Sequence, residues 1–236
     1  MSGSLHALTD LLSALIGAAA GWMLYFYRLK PAGIIAVAQQ AQVYWLVLVC
    51  GALIGAFWFG TVNLYVTGIP GIGRSMFGAI FGGVFGIEIY KRRMGISGST
   101  GALFVLPLSL GMVFGRVGCF LAGLGDFTYG LPTTLPWGRD FGDGVPRHPV
   151  QLYESLAMAV FAGAFLVWAQ HRPQAAARQG FYIFIAYYCA QRFLWEFFKP
   201  YGEVAGILTV FQIGAVLLFG YAGVMLHKVR THHARA

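Results

Sequence analysis

Between Arg93 and Arg116 run 22 consecutive residues, 94–115, without one Asp, Glu, Lys or Arg. About 20 largely apolar residues in a helix cross the hydrocarbon of a bilayer. The run is one of several. Seven segments read as spanning helices, at roughly 8–28, 43–62, 73–90, 100–121, 150–170, 180–198 and 205–227. Only 10% of the residues are charged, whereas soluble domains carry about a quarter, so a soluble fold is excluded. The expected fold is an all-α integral membrane protein with about seven transmembrane helices, forming a single transmembrane domain over residues 1–236.

The third span is the most unusual. It is glycine-rich, and Gly78 and Gly82 stand at the small-xxx-small spacing that lets helices pack closely. An odd number of spans puts the termini on opposite sides, and basic loops choose the cytoplasmic one. With the N-terminus outside, the inner segments hold Arg28, Lys30, Lys91, Arg92, Arg93, Arg172, Arg178, Lys228, Arg230 and Arg235. The outer segments hold Arg74, Arg116, Arg139, Arg147, Arg192 and Lys199. Ten against six places the N-terminus outside and the C-terminus in the cytoplasm, with a basic cytoplasmic tail at 228–236. This distribution accounts for the net charge of +8 without nucleic acid as a partner. Cys50, Cys119 and Cys189 are scattered, with neither a disulfide framework nor metal-ligand spacing. No metal or cofactor is expected. The longest outer loop, about 122–149, is rich in Gly, Pro, Thr and Asp and reads as turns.

On this topology Arg116, Arg147, His148, Gln151, Tyr153, Glu154, Arg192 and Glu196 all lie near the outer face. A charge beside hydrocarbon is costly and needs a partner or a function. Arg192 and Glu196 are spaced i, i+4 on one helix face, so the carboxylate can hold the guanidinium while its other donors meet phosphate. Arg116 has no charged neighbour within four residues, so Glu154, Glu196 or a ligand must answer it. His148 precedes Pro149 at a helix start, and histidine titrates near neutral pH, which suits proton transfer. Gln151 and Glu154 lie one turn apart. Tyr153 is placed to meet a headgroup or to anchor at the interface. Arg74 is a weaker case of an outer arginine. Glu88, on the inner side, is spaced i, i+4 from Arg92 and reads as a local pair.

Three blocks resemble the bacterial phosphatidylglycerol–prolipoprotein diacylglyceryl transferase family. They are Gly115-Arg116-Val117-Gly118-Cys119-Phe120, Arg147-His148-Pro149-Val150-Gln151-Leu152-Tyr153-Glu154, and Arg192-Phe193-Leu194-Trp195-Glu196-Phe197-Phe198-Lys199. The resemblance runs over about 74–200; before that only hydropathy matches. It implies a multi-pass enzyme of the bacterial inner membrane, with its site at the outer face. Such an enzyme moves a diacylglyceryl group from phosphatidylglycerol, or a related anionic phospholipid, to a cysteine thiol of a lipoprotein precursor and releases glycerol phosphate. By that analogy Arg116 and Arg192 hold the phosphate, Glu196 orients Arg192, and His148, Gln151 and Tyr153 shape the headgroup site. Taken with the reading of the residues, the expected catalytic residues are Arg116, His148, Arg192 and Glu196, with His148 the base on spacing alone. The expected substrate-binding residues are Arg74, Cys119, Arg147, Gln151, Tyr153, Glu154 and Lys199.

Three positions depart from the family pattern. Cys119 stands where the family usually has asparagine, Phe77 occupies the histidine position of its third-span His-Gly-Gly, and Lys199 replaces an arginine. The lost histidine removes a proton acceptor for the thiol. A different acceptor, or a non-catalytic phospholipid binder or carrier, is the alternative. A solute transporter ranks last, because the polar residues gather at one face rather than along a pathway.

Overall fold

A computed structural model describes Leu11, residues 15–29 and residues 41–233. The first helix, α1, covers 15–24 and continues as a π-helical turn, Tyr25–Leu29. The rest of the expected first span, residues 30–40 of the expected first inner loop, and residues 234–236 of the tail lie outside the described residues. The other helices are α2 (Ala41–Thr67), α3 (Met76–Met94), α4 (Val105–Ala122), α5 (Val150–His171), α6 (Pro173–Glu196) and α7 (Val210–His233). Two small antiparallel hairpins interrupt them, β1–β2 (Arg139–Asp140 with Pro146–Arg147) and β3–β4 (Glu203–Ala205 with Leu208–Thr209).

Four stretches are long and apolar enough to cross a membrane: Gln42–Thr67, Ala102–Asp126, Val150–His171 and Val210–Thr231. Helix α3 carries Glu88, Lys91, Arg92 and Arg93, and α6 carries Arg178, Arg192 and Glu196, so neither is apolar enough by composition. Ile54, Leu156 and Val160 are exposed, whereas Met158, Phe184, Ile185 and Val105 are buried. An apolar exterior around an apolar core is what a protein solvated by lipid requires. The molecule is an all-α membrane protein.

The helix ends differ from expectation for local reasons. Helix α6 starts at Pro173, seven residues before the apolar stretch at 180, because proline is favoured in a first turn. Helix α7 starts at Val210 rather than 205, since Thr209 and Gln212 form a reciprocal capping box. The Thr209 hydroxyl accepts from the Gln212 N–H (3.3 Å), and the Gln212 side chain accepts from the Thr209 N–H (2.9 Å). Helix α3 is capped by Ser75, whose hydroxyl accepts from the Gly78 N–H, and ends at Gly95 with φ 65°.

The glycine spacing of the third span has a structural cause. Gly78 and Gly82 lie against Gly55 and Gly51 of α2, and a Cβ at any of the four would overlap the facing backbone. Two helices meet here backbone to backbone. At the same end of this pair, the Gly202 N–H donates to the Thr67 hydroxyl (3.0 Å), which ties α2 to the segment after α6. The end of α2, the start of α3, the end of α4, the start of α5, the end of α6 and the start of α7 therefore share one end of the bundle.

Candidate functional site

A buried charge cluster occupies that shared end. Glu154, in the first turns of α5, is its centre. Its Oε2 lies 2.7 Å from the Arg116 Nε of α4, a close ion pair set off the line of a hydrogen bond. Its Oε1 accepts from Arg192 Nη1 of α6 (3.2 Å) and from Lys199 Nζ (2.7 Å). Arg192 Nη2 also faces Glu196 Oε2 at 3.2 Å. Three cations meet two carboxylates, a formal excess of one positive charge among largely buried side chains.

The residues around the cluster hold each member in place. Thr209, the cap of α7, donates its hydroxyl to Glu196 Oε1 (3.2 Å), so the capping box fixes a helix and a carboxylate together. Gln212 donates to the Phe193 carbonyl (3.3 Å). The Arg192 guanidinium lies 4.5 Å from the centre of the Phe211 ring, and Lys199 Nζ lies 5.7 Å from that of Tyr201. Both contacts place a cation over an aromatic face. Arg192 donates one of its five N–H groups to Glu154 and faces Glu196 as an ion pair, and its buried Nε has no hydrogen-bond partner among the described residues. Arg116 spends only Nε, and its side chain is 17% exposed against 5% for Arg192. Arg116 is therefore the better placed to reach a ligand.

Several buried polar atoms here lack a hydrogen-bond partner among the described residues. They include both side-chain amide atoms of Gln151, the Tyr188 hydroxyl, Gln191 Oε1 and Trp195 Nε1. Each such group calls for an ordered water or a ligand group as its partner.

The other residues singled out in the sequence sit elsewhere. His148 packs edge-on against Phe198, with Nδ1 3.4 Å from the Tyr153 hydroxyl, which also accepts from Trp137 Nε1 (2.8 Å). No described contact joins His148 to Arg116 or Arg192. Arg147 belongs to the β1–β2 hairpin. It donates to Asp143 (2.7 Å) and to the Val145 carbonyl, and it lies over the Tyr129 ring at 5.2 Å. That hydrogen bond holds the Asp143 carboxyl below the usual carboxylate range. Asp140 accepts from the N–H groups of Gly142, Asp143 and Gly144 and shapes the turn. Arg74 is exposed at the start of α3 and makes no described ion pair. Cys119 is half-buried beside Asp126 and Arg116.

Glu88 departs from the sequence expectation. It pairs with Lys91 (2.7 Å), not Arg92, and accepts from the Tyr221 hydroxyl of α7 (2.9 Å), so it is not merely local.

Thr209, Gln212 and Tyr188 were not singled out in the sequence. The Thr-x-x-Gln pattern ahead of an apolar run is a readable cap signal for the first two. Nothing in sequence marks Tyr188, whose role comes from burial.

Fold and site together define an α-helical membrane protein that gathers arginine, lysine and glutamate in a buried cluster at one end. The chain belongs to the prolipoprotein diacylglyceryl transferase family, whose model matches residues 7–228, and is a transferase. The match takes in residues 7–70, where only hydropathy had been legible. A phosphatidylglycerol–prolipoprotein diacylglyceryl transferase of Nitratidesulfovibrio vulgaris is 33% identical over 226 residues, covering 87% of this chain and 83% of the relative. One from Idiomarina loihiensis is 34% identical over 151 residues, 62% of this chain and 55% of the relative. One from Geobacter sulfurreducens is 40% identical over 118 residues, 48% of this chain and 42% of the relative.

Proposed function

We propose that the charge cluster binds the phosphate of phosphatidylglycerol, and that the protein transfers the diacylglyceryl group to a cysteine thiol of a lipoprotein precursor. The observation that carries this reading is the cluster's single excess positive charge. A phosphodiester monoanion neutralises it. As the glyceryl C–O bond breaks, the leaving glycerol phosphate gains a second negative charge, which the same donors oppose more strongly. Stabilisation that grows toward the transition state accelerates a reaction, and a single such donor contributes about 2.7–4 kcal/mol.

In the proposed reaction the thiol sulfur attacks the glyceryl carbon that bears the phosphate oxygen. The C–S bond forms, the C–O bond breaks, and glycerol phosphate leaves with the electron pair. Arg116 is assigned the direct phosphate contact. Arg192 contributes its remaining donors and is positioned by Glu154 and Glu196. Lys199 completes the positive charge. Gln151 and Tyr153 shape the headgroup site, with Cys119, Arg74 and Arg147 as outlying contacts. The thiol proton needs an acceptor outside the cluster, since both carboxylates are engaged by cations. Phe77, at the position of the family's histidine, is buried among Phe59, Tyr188 and Phe211 and cannot take it. His148 is the base proposed.

An apolar cleft of about 680 Å³ between α2, α3 and α7 supports the lipid substrate. Phe59 in its wall stacks on Phe211, whose ring also lies against the Arg192 guanidinium. Acyl chains in this cleft would bring a headgroup to the cluster. Membrane orientation follows from charge. Lys91, Arg92, Arg93, Arg172, Arg178, Lys228 and Arg230 lie toward the opposite end, which supports a cytoplasmic end there and a site at the outer face of the bacterial inner membrane. All seven helices span on this reading.

The test is release of glycerol phosphate by purified protein given headgroup-labelled phosphatidylglycerol and a cysteine-containing lipoprotein peptide. Arg116→Ala is expected to lower turnover by about 10²–10³. Equal turnover in wild type and variant removes the assigned role, and lipid binding without release makes the protein a binder rather than a transferase of this lipid.

A further inference from the structure

A second cleft, with a cavity volume of about 230 Å³, runs along α3, and its polar end, at Glu88, Lys91, Ser99 and Tyr182, lies away from the charge cluster. One face of α3, from Met76 to Lys91, forms its long wall, a length of about 22 Å. One leaflet of hydrocarbon is about 15 Å deep, half of a 30 Å core. The wall is apolar through Ile80, Val84 and Ile87 and turns polar only at its last turn.

That polar end is built rather than incidental. Lys91 is 3% exposed, and its ammonium spends one N–H on Glu88. Two N–H groups remain. Tyr182 is 1% exposed, and its hydroxyl faces Ser99 across the cleft without completing a hydrogen bond. Arg92 and Arg93 are exposed beside it. The free groups are thus mainly donors, and the local charge is positive. A narrow apolar groove ending in buried donors fits an amphipathic molecule with one chain and an anionic head.

We propose that this cleft binds an anionic phospholipid from the leaflet opposite the Arg116 site, with one acyl chain along α3 and its phosphate on Lys91 and Tyr182. Such a lipid would sit beside the Tyr221–Glu88 hydrogen bond and brace α3 against α7. It is a resident lipid, separate from any lipid consumed at the charge cluster.

Native mass spectrometry of the purified full chain tests this, with phosphatidylglycerol and phosphatidylcholine of matched chains supplied in turn. To isolate the second site, all proteins carry Arg116→Ala. One phosphatidylglycerol is expected to be retained in preference to phosphatidylcholine. Lys91→Met is expected to weaken that retention about tenfold, the effect of losing a charged hydrogen bond to phosphate. Lys91→Arg keeps the charge and is expected to keep the lipid. Ala79→Leu, which narrows the groove and leaves the charges alone, is expected to weaken both lipids alike. Unchanged retention in Lys91→Met and Ala79→Leu overturns the proposal. A retained mass that matches a free fatty acid rather than a phospholipid also overturns it.

Discussion

Glu154→Gln is expected to destabilise the protein by about 3–5 kcal/mol and to abolish headgroup release. The carboxylate answers Arg116, Arg192 and Lys199 at once, from three separate segments. Removing one member of a buried ion cluster leaves the others uncompensated, and breaking such a pair costs in that range. Glutamine has nearly the shape of glutamate, so packing is kept and the loss is electrostatic. Thermal unfolding in detergent reads the stability, and labelled phosphatidylglycerol reads the activity. A variant with wild-type stability and turnover would mean that Glu154 is a bystander.

Arg192→Ala is expected to lower turnover by about 10²–10³. It removes a group that bridges two carboxylates and covers the Phe211 ring. Arg192→Lys keeps the charge, but a single ammonium does not reproduce the planar fork that reaches both Glu154 and Glu196. The lysine variant is therefore expected to recover little activity. Full activity in the lysine variant would reduce Arg192 to a point charge. The alanine variant also frees Glu196, whose remaining described contact is the Thr209 hydroxyl, so some loss of stability accompanies it.

Much of this was legible in the chain because the relevant physics is local. Apolar runs gave the helices, and the i, i+4 spacing gave the Arg192–Glu196 pair. The need to partner an isolated Arg116 pointed to Glu154 or Glu196, and the structure selects Glu154. That choice depends on how α4, α5 and α6 pack, which no spacing within one segment reveals. The central place of Glu154 and the burial of Lys199 were hidden for the same reason. Other misses were local signals left unread. The Thr209–Gln212 box marks the start of α7, Pro173 marks the start of α6, and the Asp140–Gly144 turn closes a hairpin within a loop that had been read as turns alone. His148 and Arg147 looked equivalent to the other site residues because sequence order places them beside Gln151 and Glu154. In the fold Arg147 turns to Asp143 and His148 packs against Phe198 and Tyr153, while Gln151 and Glu154 are buried.

A structure of the protein with phosphatidylglycerol bound in a lipid nanodisc tests the central claim most directly. The lipid phosphate is expected within hydrogen-bonding distance of the Arg116 guanidinium, with Arg192 on the same phosphate group and the acyl chains entering between α2, α3 and α7. A phosphate resting on the exposed Arg139 or Arg74 instead, with the Arg116–Glu154–Arg192 cluster closed to it, would contradict the claim.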